Sequence, residues 1–205
     1  MTAPFSGDHS PRFLHYLGCW LLVILAVACC PNPTPAETAP AGDRIDTSLF
    51  VASGSELRTL VKEALVAGTP AEVFAAWTTE AGILSFLEVE SNIDLRIGGP
   101  MELYFGPDLP EGQKGSESCQ ILSYVPDRML SFSWNGPPLF PEERSKRSWV
   151  VIFFDEMPSG RTKVQLQHLG FGTGGRWDDV YEYFDNAWGK VLEWLHNYFR
   201  EQSAE

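Results

Sequence analysis

His168 is the residue best placed to offer a proton or a hydrogen bond to something held in an apolar interior. In "TKVQLQHLGF", Val164, Leu166 and His168 share one strand parity, and Lys163, Gln165 and Gln167 share the other. An inward imidazole has two uses. It can donate to a carbonyl or hydroxyl at the end of an apolar pocket, or it can be a core histidine bonded to a backbone carbonyl or an acid. Catalysis would need a second converging group. His168 has no sequence-adjacent nucleophile, and Ser133 has the parity opposite to Trp134. Glu193 and His196 stand three apart, a spacing that metal sites in helical bundles use. Glu193 falls in a charged stripe without a second such pair, so the two read as a solvated helix face, and no metal or cofactor is expected.

The other chemically distinctive residue is Cys29. From Leu17 to Ala28 the chain reads "LGCWLLVILAVA", twelve residues without a charge, the length of a secretory h-region. "AVA" before Cys29 has the small-x-small form of a cleavage site. The same residues followed by Cys29 resemble a lipobox, whose cysteine is lipidated and becomes the new N-terminus. Ala26 stands where a lipobox usually has leucine, and Arg12 is offset by Asp8. An uncleaved single-pass anchor is the alternative, since the flanking "FLHY" and the cysteines bring the run to about the lower length limit of a span. Pro31, Pro33, Pro35 and Pro40 then favour an extended spacer. The expectation is export with residues 1–28 as signal peptide, lipidation at Cys29, a membrane-held tether over 29–43, and a place in the cell envelope. Cys30 and Cys119 are too few for a disulfide framework or a zinc site.

Removing residues 1–28 leaves the net charge of -12 unchanged, because Asp8 and Arg12 cancel. That surface suits no nucleic acid, whose binding rests on Lys and Arg neutralising phosphates. The basic run "RSKR", Arg144 to Arg147, follows two glutamates and reads as the solvated start of a strand. The elements that must position His168 follow from patterning. "TLVKEALVAG" is β-like and closes at Gly68; Thr69, Pro70 and Glu72 signal a helix start, with Val73, Phe74 and Trp77 on one face. A short helix through "AGILSFL" follows. "SNIDLRI", "MELYFG", "SCQILSYV", "MLSFSWNG", "SWVVIFFDEM" and "TKVQLQHLGF" read as an antiparallel meander. Leu130, Phe132 and Trp134 share the inward parity. In "RWDDVYEYFDNAWGKVLEWLHNYFRE", Trp177, Val180, Phe184, Trp188, Leu192, Leu195 and Phe199 recur at three- and four-residue steps. One long amphipathic helix must lie across the sheet, which gives an α+β fold with a curved sheet gripping that helix.

The segments "TPAEVFAAWTTEAGILSFL", "IDLRIGGPMELYF", "ILSYVPDRMLSFSWNGPP", "TKVQLQHLGFG" and "AWGKVLEWLHNYF" resemble, in order, the START-like (SRPBCC) superfamily. Within it they are most similar to bacterial homologues of the activator of the ninety-kilodalton heat-shock protein's ATPase. Phe86 departs from a tryptophan that many relatives carry. Residues 44–58 have no counterpart, which places the START-like domain at 59–202. The resemblance implies a helix-grip fold with a hydrophobic cavity between sheet and C-terminal helix. Its expected lining is Leu130, Phe132, Trp134, Val164, Leu166, His168, Trp177, Phe184 and Trp188. Three function classes follow: a binding domain for a hydrophobic or lipid-like small molecule, ranked first; a co-chaperone-like protein-interaction domain with a filled core; and a cyclase- or hydrolase-type enzyme. Export would separate the second from a cytosolic chaperone. Leu139 and Phe140, apolar in a Pro-rich loop, are either a lid or partner contact, or a loop tucked onto its own domain.

Overall fold

The computed structural model describes residues 58–203. The leader 1–28, Cys29 with the tether to residue 43, and residues 44–57 lie outside the described residues. Strand β1 (Arg58–Val66) buries Leu60 and Val66. At Gly68 a Cβ would sit 2.6 Å from the Phe199 ring, so any side chain there would push that ring out of the core. Thr69 then starts helix α1 (Pro70–Thr78) with a reciprocal cap. The Glu72 amide donates to Thr69 Oγ1 at 3.3 Å, and the Thr69 amide donates to Glu72 Oε2 at 2.8 Å. That backbone bond, with a second from the Thr69 hydroxyl, holds the Glu72 carboxyl below its usual range. Thr79 caps helix α2 (Glu80–Leu87), accepting from the Gly82 amide at 3.0 Å.

Six strands follow: β2 (Glu90–Ile93), β3 (Met101–Tyr104), β4 (Ile121–Val125), β5 (Met129–Trp134), β6 (Ser148–Glu156) and β7 (Thr162–Phe171). They do not form one continuous meander. The main sheet runs β1-β7-β6-β5-β4, while β2 and β3 pair separately. The first strand therefore pairs with the last, and α1 and α2 connect β1 to β2. The "SNIDLRI" strand ends at Ile93. Beyond it the chain turns, with Gly98 at φ 76° and the Gly99 amide donating to the Arg96 carbonyl at 2.8 Å, a conformation in which glycine carries no Cβ penalty.

Helix α4 (Trp177–Gln202) has 26 residues and is about 39 Å long at 1.5 Å per residue. It buries Trp177, Val180, Phe184, Trp188, Val191, Leu192, Leu195 and Phe199 and keeps Asp178, Glu182 and Glu193 exposed. Among the described residues no helix is long and apolar enough to cross a membrane.

The run Arg144–Arg147 is not the solvated start of a strand. Arg144 closes a short helix, α3 (Pro141–Arg144), and β6 begins only at Ser148. Its guanidinium donates to the carbonyls of Gly112 (2.9 Å), Gly115 (2.7 Å) and Gly136, and to Glu117 Oε2 at 3.1 Å. A fork of five donors is what several converging acceptors require. Arg144 thereby ties the 106–118 loop to the 136–147 loop.

Candidate sheet-helix site

Strand register assembles the site. Leu60, His168, Val150, Phe132 and Ile121 lie opposite one another in a row across all five strands; Leu166, Ile152 and Leu130 form the next row, and Val164 and Phe154 the one after. All ten of these side chains are at most 2% exposed. Alternation places them on the face that α4 covers.

His168 sits at the centre of this face. Trp188 Nε1 donates to His168 Nδ1 at 3.0 Å, and His168 Nε2 lies 2.7 Å from Ser148 Oγ. An indole can only donate. His168 Nδ1 is therefore the acceptor, Nε2 carries the proton and donates to Ser148, and Ser148 Oγ donates to the Trp134 carbonyl at 3.3 Å. This chain fixes one neutral tautomer and uses both ring nitrogens. Burial pushes the imidazole down to about 3 from 6.5, because a charged ring has no solvent there.

Rings fill the space around it. His168 lies 4.4 Å from Phe171, 4.7 Å from Phe184 and 6.0 Å from Trp188; Trp134 lies 5.4 Å from Trp188 and 5.5 Å from Phe132. The edge-to-face pairs among them, His168 with Phe184 and Trp188 and Phe132 with Trp134, are of a kind that contributes about 0.5–1.5 kcal/mol each beyond buried area. Eight of the nine residues expected to line a cavity thus stand on the buried rows or touch the histidine cluster. Trp177 is apart from it, at the start of α4, with the Lys146 ammonium 5.8 Å from its ring centroid.

Sequence reasoning missed Ser148, Phe171 and Arg144. Ser148 shares parity with Val150 and Ile152, which was the available signal; nothing local marks Arg144. It also missed an orphan. Trp77 is 1% exposed, and its Nε1 has no hydrogen-bond partner among the described residues.

The polar candidates resolve individually. His196 Nδ1 donates to the Leu65 carbonyl at 2.8 Å, and Glu193 is exposed. Among the described residues no group of three His, Cys, Asp or Glu side chains could hold a metal ion. Burial raises the Cys119 thiol to about 11, which keeps it protonated. In the Pro-rich loop, Phe140 is 3% exposed beneath the Arg176 guanidinium at 4.3 Å, while Leu139 is 66% exposed.

Helix, split sheet and gripped terminal helix recur in known structures. Protein MLL2253 from Mesorhizobium loti is 20% identical, with a TM-score of 0.53 over 70% of this chain and 98% of that one. CalU16 from Micromonospora echinospora is 21% identical, with a TM-score of 0.53 over 72% and 80%. PFC0360w, an HSP90 activator from Plasmodium falciparum, is 17% identical, with a TM-score of 0.50 over 64% and 88%. Such likenesses establish the fold, an antiparallel sheet gripping a long C-terminal helix. No curated protein matches the chain. The family model described as "Activator of Hsp90 ATPase homolog 1-like protein" matches residues 67–200, from the turn before α1 into the last turn of α4. That span includes every residue of the His168 cluster, and the chain belongs to this family.

Proposed function

We propose that this chain works through its surface, as a protein-interaction domain with a filled core, held at the cell envelope by its N-terminal segment. The observation that carries the reading is the His168 cluster. Both ring nitrogens are engaged within the protein, and Phe132, Trp134, Phe184 and Trp188 pack around them. A ligand entering here would have to displace bonded and packed groups. That PFC0360w from Plasmodium falciparum is an HSP90 activator supports the class of function. It does not carry the partner over, because the expected export would separate this domain from a cytosolic chaperone.

Native mass spectrometry of the purified full-length protein tests the reading. The expected spectrum shows the chain and any acyl modification, and a panel of fatty acids and sterols leaves the melting temperature unchanged, since a ligand of the folded state would raise it. A stoichiometric apolar molecule released by solvent extraction would sink the proposal.

Binding of a hydrophobic or lipid-like molecule is the second reading, and the Trp77 indole favours it. A buried donor left unpaired costs about 1–3 kcal/mol, and an acceptor on a ligand would remove that cost. If so, Trp77→Phe weakens ligand binding while leaving folding stability intact or improved.

A further inference from the structure

Strand β1 is an edge of the main sheet, and among the described residues it pairs with β7 alone. Which of its backbone groups face outward follows from the ladder. The Leu65 carbonyl accepts from His196 on α4, so it points away from β7. In an antiparallel strand the amide and carbonyl of one residue point the same way, and alternate residues point oppositely. The far side of the sheet agrees: the Phe154 amide donates to the Arg128 carbonyl, toward β5, so even-numbered residues of β6 face β5. Its odd-numbered residues then face β7, and through the register Lys62 and Ala64 face β7. Val61, Glu63 and Leu65 consequently present their amides outward.

Among the described residues this edge is not blunted. Its bulge lies at its start, between Arg58 and Leu60, and its only lysine, Lys62, is drawn to Asp185 of α4 at 2.8 Å. Val61 is 50% exposed. Beside the edge runs a groove of about 330 Å³ between β1 and α4, floored by Ala64, Leu65, Gly189 and Leu192 and flanked by Glu63 and Glu193. Gly189 keeps it open, since a Cβ there would meet nothing within 4 Å. The charge is one-sided. Lys163 lies 3.9 Å from Glu63 and 3.7 Å from Asp155. Besides His196, the ionisable residues lining the groove are Glu63 and Glu193, both acidic.

We propose that the outer edge of β1 is a docking site for an extended segment of a partner protein that carries Lys or Arg opposite Glu63. The added strand bonds to the amides of Val61, Glu63 and Leu65 and to the carbonyls of Val61 and Glu63. Its residue opposite Ala64 points into the groove and is apolar; its basic residue meets Glu63, as opposite charges do across paired strands. This rests on the interaction reading and names the place and chemistry of the contact.

The test uses the full-length chain in detergent with two acetylated, amidated octapeptides, Ser-Val-Thr-Val-Lys-Val-Thr-Ser and its Lys-to-Glu counterpart. Amide hydrogen exchange is followed by NMR. At saturating lysine peptide, exchange at Val61, Glu63 and Leu65 slows by about tenfold or more, as amides newly bonded in a ladder do. The glutamate peptide binds about tenfold or more weaker. Val61→Pro removes one outward N–H without touching the β7 ladder, and Gly189→Leu fills the groove from an open position; both lose peptide binding with unchanged circular dichroism. Unchanged exchange at the three amides, or equal binding of the two peptides, overturns the proposal. Protection that grows with protein concentration without peptide also overturns it, in favour of a second copy at this edge. An apolar ligand found by native mass spectrometry would sink the interaction reading alone, because the β1 protection is measured independently of it.

Discussion

At the scale of single residues, His168 is held neutral by position, and its replacement separates structure from binding. His168→Asn and His168→Leu each lose about 1–3 kcal/mol of stability, because the Trp188 N–H or the Ser148 hydroxyl is left with a poorer partner inside the core. The pH dependence has a definite sign. Unfolded, the ring takes a proton below about 6.5; folded, it resists until about 3. Its contribution is complete above 6.5 and is lost as pH falls toward 3. Chemical denaturation at several pH values should therefore show wild type losing more stability than His168→Asn between pH 6.5 and 3. A parallel decline would remove His168 from the acid response. Arg144 is the other residue whose loss should be felt beyond its own site. Its side chain and that of Glu117 are 13% and 16% exposed, so Arg144→Ala leaves three carbonyls and a carboxylate short of a donor. The expected cost is about 2 kcal/mol, with faster amide exchange across residues 106–118.

The Pro-rich loop before β6 is one element with two unlike residues. Phe140 is anchored under Arg176, and Glu143, 5% exposed, accepts from the Arg176 amide at 3.1 Å. The loop is thereby fastened to the start of α4. Phe140→Ser should cost about 3 kcal/mol through the cavity it opens, whereas Leu139→Ser, at an exposed tip, should stay within about 0.5 kcal/mol. Thermal melts of the two single variants decide this. Equal and large losses would mean that Leu139 is covered by something outside the described residues, and equal small losses would mean that the loop is not fastened.

For the molecule as a whole, the proposed tether makes a prediction about mass and place. Expressed in a bacterial host, the full-length chain should be cut after Ala28 and carry acyl mass on Cys29, as the "AVAC" junction implies. Intact mass of the membrane fraction reads both. A product that still begins at Met1 in the cytosol would remove export, and membrane attachment unaffected by Cys29→Ser would remove the lipid. On the proposed reading, a chain of net charge -12 with an open strand edge at β1 suits recognition at a surface held near a membrane.

Much of this was legible in local pattern. The alternation of Val164, Leu166 and His168, the stripe from Trp177 to Phe199 and the Thr69-Glu72 cap depend only on residues two to four positions apart, and periodicity alone dictates which face they take. The family resemblance fixed the order of elements on that basis. What the tertiary structure alone decided lies at longer range. His168 meets partners 20 residues away in each direction, Ser148 and Trp188. Arg144 gathers carbonyls 29 and 32 residues before it, and β1 finds β7 more than a hundred residues on, Leu60 opposite His168. Parity could turn a histidine inward, but whether it would meet a ligand or an indole depended on which side chains the closing sheet and helix brought within 3 Å. A polar group's partner is set by where the whole chain folds back on itself, and no local period encodes that.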